Sequence, residues 1–443
     1  MNDTIAALST PGGEGAIALI RISGPGAVAV AGAIFRGRVK PAEAAPRVQH
    51  FGRIFDGDAQ VDEVMLTVFR APGSYTGEDV VEISGHGGIL VSRRVLQTVL
   101  KNGARLAEPG EFTQRAFLNG KLDLTQAEAV MDLIRAQTEL SLRAAQEQLS
   151  GRLGGRVREL QDGLLTILAH VEAYIDFPDE DIDPATGHAL QQQMQSVADS
   201  IASLLRTAEQ GRILRHGVRT VIFGAPNAGK SSLLNTLLGY ERAIVSAIAG
   251  TTRDTIEEVI NLRGIPLRLI DTAGLRESSD IIEREGIART RQQVEQADLV
   301  LHIFDATAEV FHHEDPKARR EITILNKTDL AVHPSWNEVE ALRISCKTGE
   351  GMEALADAIF ERVMGGGSEF RDVSVAINAR HQDALQRTAR SLDAARNAFG
   401  QGLSAEFVAV DLREALEAIG EVIGKTDTED LLGKIFSTFC IGK

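Results

Sequence analysis

The chain of 443 residues is 43% hydrophobic and 25% charged, and 47 Lys and Arg against 62 Asp and Glu leave a formal net charge of −15. That length suits about three domains of ordinary globular composition, no apolar run reaches the roughly 20 residues of a membrane span, and the acidic balance excludes a general electrostatic grip on nucleic acid. Two cysteines cannot build a disulfide framework, and residues 1–10 lack the basic and then apolar order of a secretory leader, which points to a reducing, cytoplasmic setting.

Residues 1–118 read as an α+β domain. Residues 16–22 and 63–69 are apolar, strand-like runs, and turns fall at Pro11-Gly12-Gly13, Pro72-Gly73 and Gly85-His86-Gly87-Gly88. From 119 to 216 the pattern is helical. Thr125-x-x-Glu128 reads as a capping box before a helix to about Leu149. Val157, Leu160, Leu164, Ile167, Val171 and Tyr174 recur at three-four spacing, as do Met194, Val197, Ile201 and Leu204. Residues 177–187, acidic and containing proline, read as the loop between these two helices. Gly151-Arg152-Leu153-Gly154 has the G-x-x-G form of an RNA-clamping loop, a match that 42 glycines produce by chance. Arg212, Arg215, His216 and Arg219 form the densest basic run before the next domain and read equally well as cations completing a helix C-terminus.

At about Gly217 the chain turns to apolar strands alternating with helical patterns, which continue to Gly365-Gly366-Gly367. A short strand over residues 219–223 runs into Gly224-Ala225-Pro226-Asn227-Ala228-Gly229-Lys230-Ser231, which fits G-x-x-x-x-G-K-[ST], and a helix opens after it. Glycines let the backbone curl so that its N–H groups face phosphate oxygens, and the helix adds the positive end of its dipole. Lys230 suits the β- and γ-phosphates and the Ser231 hydroxyl suits Mg²⁺, so Gly224, Asn227, Ala228, Gly229, Lys230, Ser231 and Ser232 are the candidate phosphate-binding residues. Gly250-Thr251-Thr252-Arg253-Asp254 follows in a loop, where the Thr252 hydroxyl can complete the Mg²⁺ shell. Asp271-Thr272-Ala273-Gly274 ends the apolar run 266–270, which sets a carboxylate near the metal and lets the Gly274 backbone approach the γ-phosphate.

Asn326-Lys327-Thr328-Asp329 ends the run 322–325. Asp329 can accept from the ring N–H and the exocyclic amine of guanine, where adenine presents an acceptor and is repelled. Ser345-Cys346-Lys347, after 341–344, can bring a backbone N–H to the guanine carbonyl. Five segments in this order read as a Ras-like P-loop GTPase domain over residues 217–367, mostly parallel in its sheet. Many GTPases orient the attacking water with a Gln directly after Asp-x-x-Gly. Here Leu275 stands in that place, and Arg276, Glu277, Asp280, Glu283 and Glu285 are the candidates nearby. Between Asp305 and Glu321, residues 311–316 break any helical pattern, and His312 and His313 lack metal-ligand spacing. Residues 368–443 return to helical patterns at Leu385, Ala389 and Leu392 and over 407–423, with a Thr426-x-x-Glu429 capping box before 431–439. Helical faces on both sides that need partners suggest that the GTPase is inserted in one bundle made of 119–216 and 368–443.

Pro226-Asn227 in the phosphate loop, Gly250 to Asp254, the Leu275-Arg276-Glu277 run and the terminal Cys440-Ile441-Gly442-Lys443 make the chain similar, over essentially its whole length, to the MnmE (TrmE) family of tRNA modification GTPases. The resemblance implies a cytoplasmic homodimer that partners the flavoprotein MnmG in a heterotetramer, with tRNA as substrate and no membrane. Together the two add a carboxymethylaminomethyl or aminomethyl group to C5 of the wobble uridine, using a one-carbon unit from 5-formyl- or 5,10-methylene-tetrahydrofolate. It further implies that Asn227, Ser246, Ile248 and Thr251 ligate a K⁺ that stands in for an arginine finger, in a loop over the nucleotide, and that Glu283 positions the catalytic water. Residues 1–118 are implied to dimerise and to bind folate through Arg21, Glu82 and Lys121, joined by Lys443. Cations there suit the folate glutamates, and a carboxylate suits the pterin donors. Cys440 is the candidate reactive thiol, against the commoner fate of a buried apolar cysteine. Competing readings are a ribosome-assembly GTPase, which would bring a basic RNA-binding module that this chain lacks, and a nucleotide-gated structural dimer. Glu283→Ala should abolish GTP hydrolysis in a steady-state assay and leave GTP affinity nearly unchanged; preserved turnover would remove Glu283 from the mechanism.

Overall fold

The computed structural model describes residues 3–176, 184–240, 258–270, 293–310, 320–365, 376–425 and 429–443. Its contacts separate Met1–Met131, Gly154–Pro178 and Ala398–Lys443 from a second unit of Asp132–Leu153 and Asp179–Asn397.

In the first unit, strands β1 (Ile5–Leu8), β2 (Gly15–Ser23), β3 (Phe35–Gly37), β4 (Gln49–Asp56), β5 (Ala59–Phe69), β6 (Val80–Gly87) and β7 (Arg105–Leu106) form one sheet in the order β3-β4-β5-β6-β2-β1-β7. All pairs are antiparallel except β1 with β7. The period of two along a strand decides which side chains are buried. Ile20 and Ile22 of β2 and Val81 and Ile83 of β6 face helices α1 (Ala27–Ile34) and α2 (Ile89–Lys101), where they share a core with Val30, Ile34, Val95 and Val99. The alternate residues project from the other face, so Arg21 and Glu82, direct register partners, lie side by side away from that core. Helix α3 (Glu111–Leu118) follows β7, and a smaller cluster joins Leu124, Ala127 and Met131 to Leu432, Phe436 and Phe439, the first two of these aromatic-end residues lying on α13 (Glu429–Ser437). Helix α6 (Arg152–Asp176) is tied to α12 (Ala405–Ile423) by Arg413 with Glu172 at 2.6 Å.

The second unit carries a six-stranded sheet of β8 (Val218–Phe223), β9 (Glu258–Leu262), β10 (Ile265–Leu269), β11 (Leu299–Asp305), β12 (Glu321–Asn326) and β13 (Leu342–Arg343), ordered β13-β12-β11-β8-β10-β9. Every pair is parallel except β9 with β10, whose short turn makes a hairpin. The parallel strands read as nearly continuous apolar runs because both faces are covered. Helices α9 (Lys230–Tyr240) and α10 (Met352–Met364) pack on one face, and the same core takes in Leu140 and Ala144 of α5 (Glu139–Leu149) and Ile213 and Leu214 of α8 (Ala208–His216). Helix α7 (Pro184–Arg206) and most of α11 (Ala379–Gly400) also lie in this unit. Among the described residues, no helix is long and apolar enough to cross a membrane.

Local expectations need three corrections. The helix expected through Leu149 is two helices, α4 (Leu124–Arg135) and α5, because Thr138 caps a new start by accepting from the Ser141 amide at 3.2 Å. The capping box lies two residues earlier than Thr125 and Glu128. Asp123 and Gln126 exchange side-chain to backbone bonds of 3.0 Å each way, and the Asp123 carboxylate also accepts the Thr125 hydroxyl at 2.6 Å, a pair of donors that one threonine oxygen would serve less well. Helix α7 begins at Pro184, inside the stretch read as loop, since a proline at a helix start has no N–H bond to lose. The Thr426 box and residues 311–316 lie outside the described residues.

Arg115, only 1% exposed, bonds Asp3, Glu78 and Glu111, and Glu111 also accepts two N–H groups from Arg105. Burial opposes ionisation of Glu111, but bonds from Arg105, the Glu108 amide and Arg115 outweigh it and hold the carboxyl below its ordinary value. A folded pKa below the unfolded one gives stability that is full above the ordinary carboxylate range and is lost as pH falls through the folded value. Arg115→Met should therefore cost about 3 kcal/mol at neutral pH, by leaving half-buried Glu78 without its cation and buried Glu111 with Arg105 alone. The drop in Tm should shrink as pH is lowered into the carboxylate range; a penalty independent of pH would contradict this account.

Candidate functional site

Strand β8 delivers Gly224 at its C-terminal end, where φ is +155° and the α-hydrogens face the Ile303 carbonyl of β11. The loop then passes through two left-handed residues, Asn227 (φ +62°) and Gly229 (φ +103°), before α9 starts at Lys230. Such alternation turns successive backbone N–H groups toward one concavity, a ready anion cradle at a helix start. The Lys230 ammonium donates to the Gly224 and Ala225 carbonyls at 2.9 Å each, so it sits at the lip of its own loop. Burial pushes its pKa down from the ordinary lysine value. Ser231 and Ser232 are exposed on the first turn, where a hydroxyl oxygen is a suitable hard donor for Mg²⁺.

A second segment is locked to that loop by one buried side chain. Asn326, 2% exposed at the end of β12, donates from Nδ2 to the Ala228 carbonyl at 3.0 Å and accepts the Cys346 amide on Oδ1 at 3.1 Å. A Cβ on Gly229 would overlap that same Asn326 amide, so the loop glycine is demanded both by its φ and by the close approach. Thr328 spends its N–H and its hydroxyl on the Ile344 carbonyl, at 3.2 and 2.8 Å. The Ser345 hydroxyl donates to Asp329 at 2.8 Å, which fixes the carboxylate while leaving the residue exposed. Lys327 adopts φ +67° and pairs with Asp305 at 2.6 Å, and Lys347 is exposed. Burial raises the Cys346 thiol above its ordinary value, against a hydrogen bond with Thr236 that lowers it. The structure thus gathers Gly224 to Ser232, Asn326 to Asp329 and Ser345 to Lys347 at the C-terminal ends of parallel strands. Ser246, Ile248, Thr251, Thr252, Asp271, Thr272, Ala273, Gly274 and Glu283 lie outside the described residues. Strand β10 runs parallel to β8, so its C-terminal end at Leu269 lies on the same sheet edge as the phosphate loop.

Two arginines of the basic run ahead of this domain are neutralised internally. Arg212 pairs with Glu209 at 3.1 Å and Asp298 at 3.0 Å, and Arg215 pairs with Asp132.

In the N-terminal sheet, Arg21 bonds Glu82 at 2.8 Å and lies over the rings of Tyr75 and Phe112, 5.5 and 5.7 Å from their centroids. The chain's last residues reach the same place: the Gly442 carbonyl accepts the Ser9 hydroxyl at 3.2 Å, and Ile441 bridges to Pro109. Burial and then Arg21 lower the Lys443 pKa, while Cys440 and Glu82 pull it upward. Arg21, Glu82 and Lys443 are therefore brought together from positions far apart in sequence, with Cys440 exposed beside them. Lys121 instead donates to the Pro72 carbonyl at 3.1 Å and so holds the loop that carries Tyr75. Tyr75, Phe112 and Asp305 carry no expectation from sequence. Only Asp305 has a signal there, because it ends an apolar strand as Asp271 and Asn326 do.

A glycine-bordered anion cradle and a fixed guanine-type recognition segment, on adjoining ends of a mostly parallel sheet, define a P-loop GTP hydrolase. Two family models cover the chain, the GTP-binding protein TrmE N-terminus over residues 4–121 and the MnmE helical domain over 124–440, the second enclosing the whole phosphate-loop sheet. The tRNA modification GTPase MnmE of Akkermansia muciniphila is 52% identical, across 99% of each chain. The proteins of that name from Aquifex aeolicus and Bacillus subtilis are 44% and 46% identical, across 100% of each chain. The chain belongs to the MnmE family of tRNA modification GTPases. The G domain of the T. maritima FeoB iron transporter also aligns, at 25% identity over 33% of this chain and 98% of its own, but its TM-score of 0.23 is too low to bear on the fold. The expected fold class holds: an α+β N-terminal domain, helical segments, and a P-loop sheet within the span of the helical family model.

Gly229→Ala should weaken GDP and GTP binding by about tenfold or more, because the new methyl must displace the Asn326 amide and strain a left-handed backbone. Equilibrium titration with a fluorescent guanine nucleotide checks this, and unchanged affinity would mean that the loop and the Asn326 segment do not act as one site.

Proposed function

We propose that the protein hydrolyses GTP in the modification of the wobble uridine of certain tRNAs, together with a flavoprotein of the MnmG kind and a folate one-carbon unit. The observation that carries the guanine-nucleotide half is the single Asn326 carboxamide joining the phosphate loop to the segments that present Asp329 and the Cys346 amide. In this reading the loop N–H groups and Lys230 hold the β- and γ-phosphates, and Asp329 accepts two guanine donors. The backbone of the Ser345-Cys346-Lys347 segment would cover the base carbonyl side. Ser231 and Thr252 would hold Mg²⁺, which supplies charge neutralisation between the phosphates. Asn227, exposed at a left-handed turn, offers a neutral amide oxygen of the sort K⁺ accepts, and Ser246, Ile248 and Thr251 would add further oxygens. Glu283 takes over the water-orienting task that Leu275 cannot perform.

The support for folate is the donor chemistry of the N-terminal cluster. Arg21 and Lys443 offer cations to carboxylates, Glu82 an acceptor to the pterin donors, and Tyr75 and Phe112 apolar faces for a flat ring. Lys121 would act through the Tyr75 loop, and Cys440 would be the exposed thiol of the site. The folate form is taken as 5-formyl- or 5,10-methylene-tetrahydrofolate. The protein is read as a cytoplasmic homodimer joined through residues 1–118, with helical parts at 119–216 and 368–443 around a GTPase domain at 217–367, and as half of a heterotetramer with its flavoprotein.

A strain lacking the gene for this chain should carry wobble uridines without the aminomethyl-type group by mass analysis of its tRNA. The parent gene should restore the group and Asp329→Asn should not, because the amide reverses the hydrogen-bonding pattern. Purified Asp329→Asn protein should prefer xanthosine over guanosine triphosphate by about a hundredfold. Intact modification in the deletion strain would end the tRNA reading, and unaltered base preference would end the role of Asp329.

A further inference from the structure

Each residue of the Asn326 to Asp329 segment is anchored by its own side chain. Asn326 is held between Ala228 and Cys346, Thr328 on Ile344, and Asp329 on Ser345. The anchor of Lys327 is Asp305, which is not among the residues of any of the five nucleotide segments. Asp305 is the last residue of β11 and the register partner of Asn326, and the ladder closes there with the Ala306 amide donating to the Asn326 carbonyl at 2.9 Å. One residue later the chain enters the left-handed region at Lys327, and this single turn diverts it from the strand direction toward Asp329. A side chain other than glycine holds that conformation only when its surroundings over-determine it.

The carboxylate of Asp305 is fixed before it meets the lysine. Its Oδ1 accepts from the Thr307 amide at 2.9 Å and the Thr307 hydroxyl at 2.7 Å, and its Oδ2 is left for the Lys327 ammonium at 2.6 Å. The division is one oxygen to each side. Burial works against the charge, yet the bonds from Lys327 and Thr307 together hold the carboxyl below its ordinary value, so Asp305 is a carboxylate throughout the neutral range. At side-chain exposures of 33% and 22% it is neither a surface pair free to come apart nor a sealed one dominated by desolvation.

We propose that Asp305 is a positioning residue for base recognition: by holding the Lys327 ammonium it fixes the left-handed turn that aims the Asp329 carboxylate, and so raises the affinity for guanine nucleotides without touching them. The inference rests on the guanine-nucleotide reading above and adds to it a residue from the neighbouring strand.

The test is a double-mutant cycle on the full chain, titrated with a fluorescent GDP analogue. Asp305→Asn keeps the shape and an acceptor for Thr307 but removes the charge that Lys327 needs. It should weaken GDP binding by about tenfold in the parent and by less than about twofold when Lys327→Ala is already present, because its effect runs through the lysine. Equal losses in both backgrounds would show a general effect on the fold and overturn the proposal, as would no loss in the parent. Should Asp305→Asn melt at the assay temperature, Thr307→Val, which strips one bond from the same carboxylate, replaces it in both backgrounds with the same expected pattern at smaller size. A parent protein that takes up no GDP would instead overturn the nucleotide reading itself, which is a different result from a parent that binds and a variant that loses nothing.

Discussion

The carboxamide of Asn326 has one donating and one accepting end, and both are spent on the backbone of other segments. The donor meets the Ala228 carbonyl inside the phosphate loop, and the acceptor meets the Cys346 amide beyond β13. Because the side chain is buried, neither end can fall back on water, and leaving either backbone group unpaired would cost about 1–3 kcal/mol. Three stretches, 98 and 20 residues apart in sequence, are thereby held in one arrangement. The other contacts of the site depend on that arrangement: Gly229 has no room for a Cβ because Asn326 is there, and Thr328 and Ser345 bond across the same gap.

Helices α5 and α8 extend this rigidity into the part of the chain that precedes the phosphate loop. Leu140, Ala144, Ile213 and Leu214 are built into the hydrophobic core beneath β9 and β10, so these two strands rest on helix side chains. Helix α8 leads directly into β8 and from there into the cradle. Arg212, through Asp298, also ties that helix to the start of β11. In the GTPase of this family, hydrophobic contact and ion pairs therefore join the nucleotide sheet to helical segments within one unit.

The N-terminal cluster uses a different device. A strand shows alternate residues to opposite faces, so a sheet that buries Ile20 and Ile83 under α2 must turn Arg21 and Glu82 outward side by side. The last residues of the chain then add Lys443, because Gly442 lies against Leu8 and Ser9 too closely for any side chain and Phe436 and Phe439 pack around Gly110. A polar group of opposite charges assembles from the two ends of the sequence.

What could be read from the sequence was whatever depends on neighbours along the chain. Apolar runs at 219–223, 266–270 and 322–325 coincide with β8, β10 and β12 because strands buried on both faces are apolar throughout, and the glycines of the phosphate loop stand where the backbone has positive φ. The reading went astray where a short-range signal had a close rival. Asp123 outcompeted Thr125 as the cap of α4 since a carboxylate accepts more donors, and Thr138 divided a helical pattern that periodicity alone left continuous. Residue spacing cannot say which carboxylate meets Lys327, which rings lie under Arg21, or that α5 shares a core with β10. Those pairings join residues tens to more than a hundred positions apart, and only the packing of one element on another brings their atoms within bonding distance.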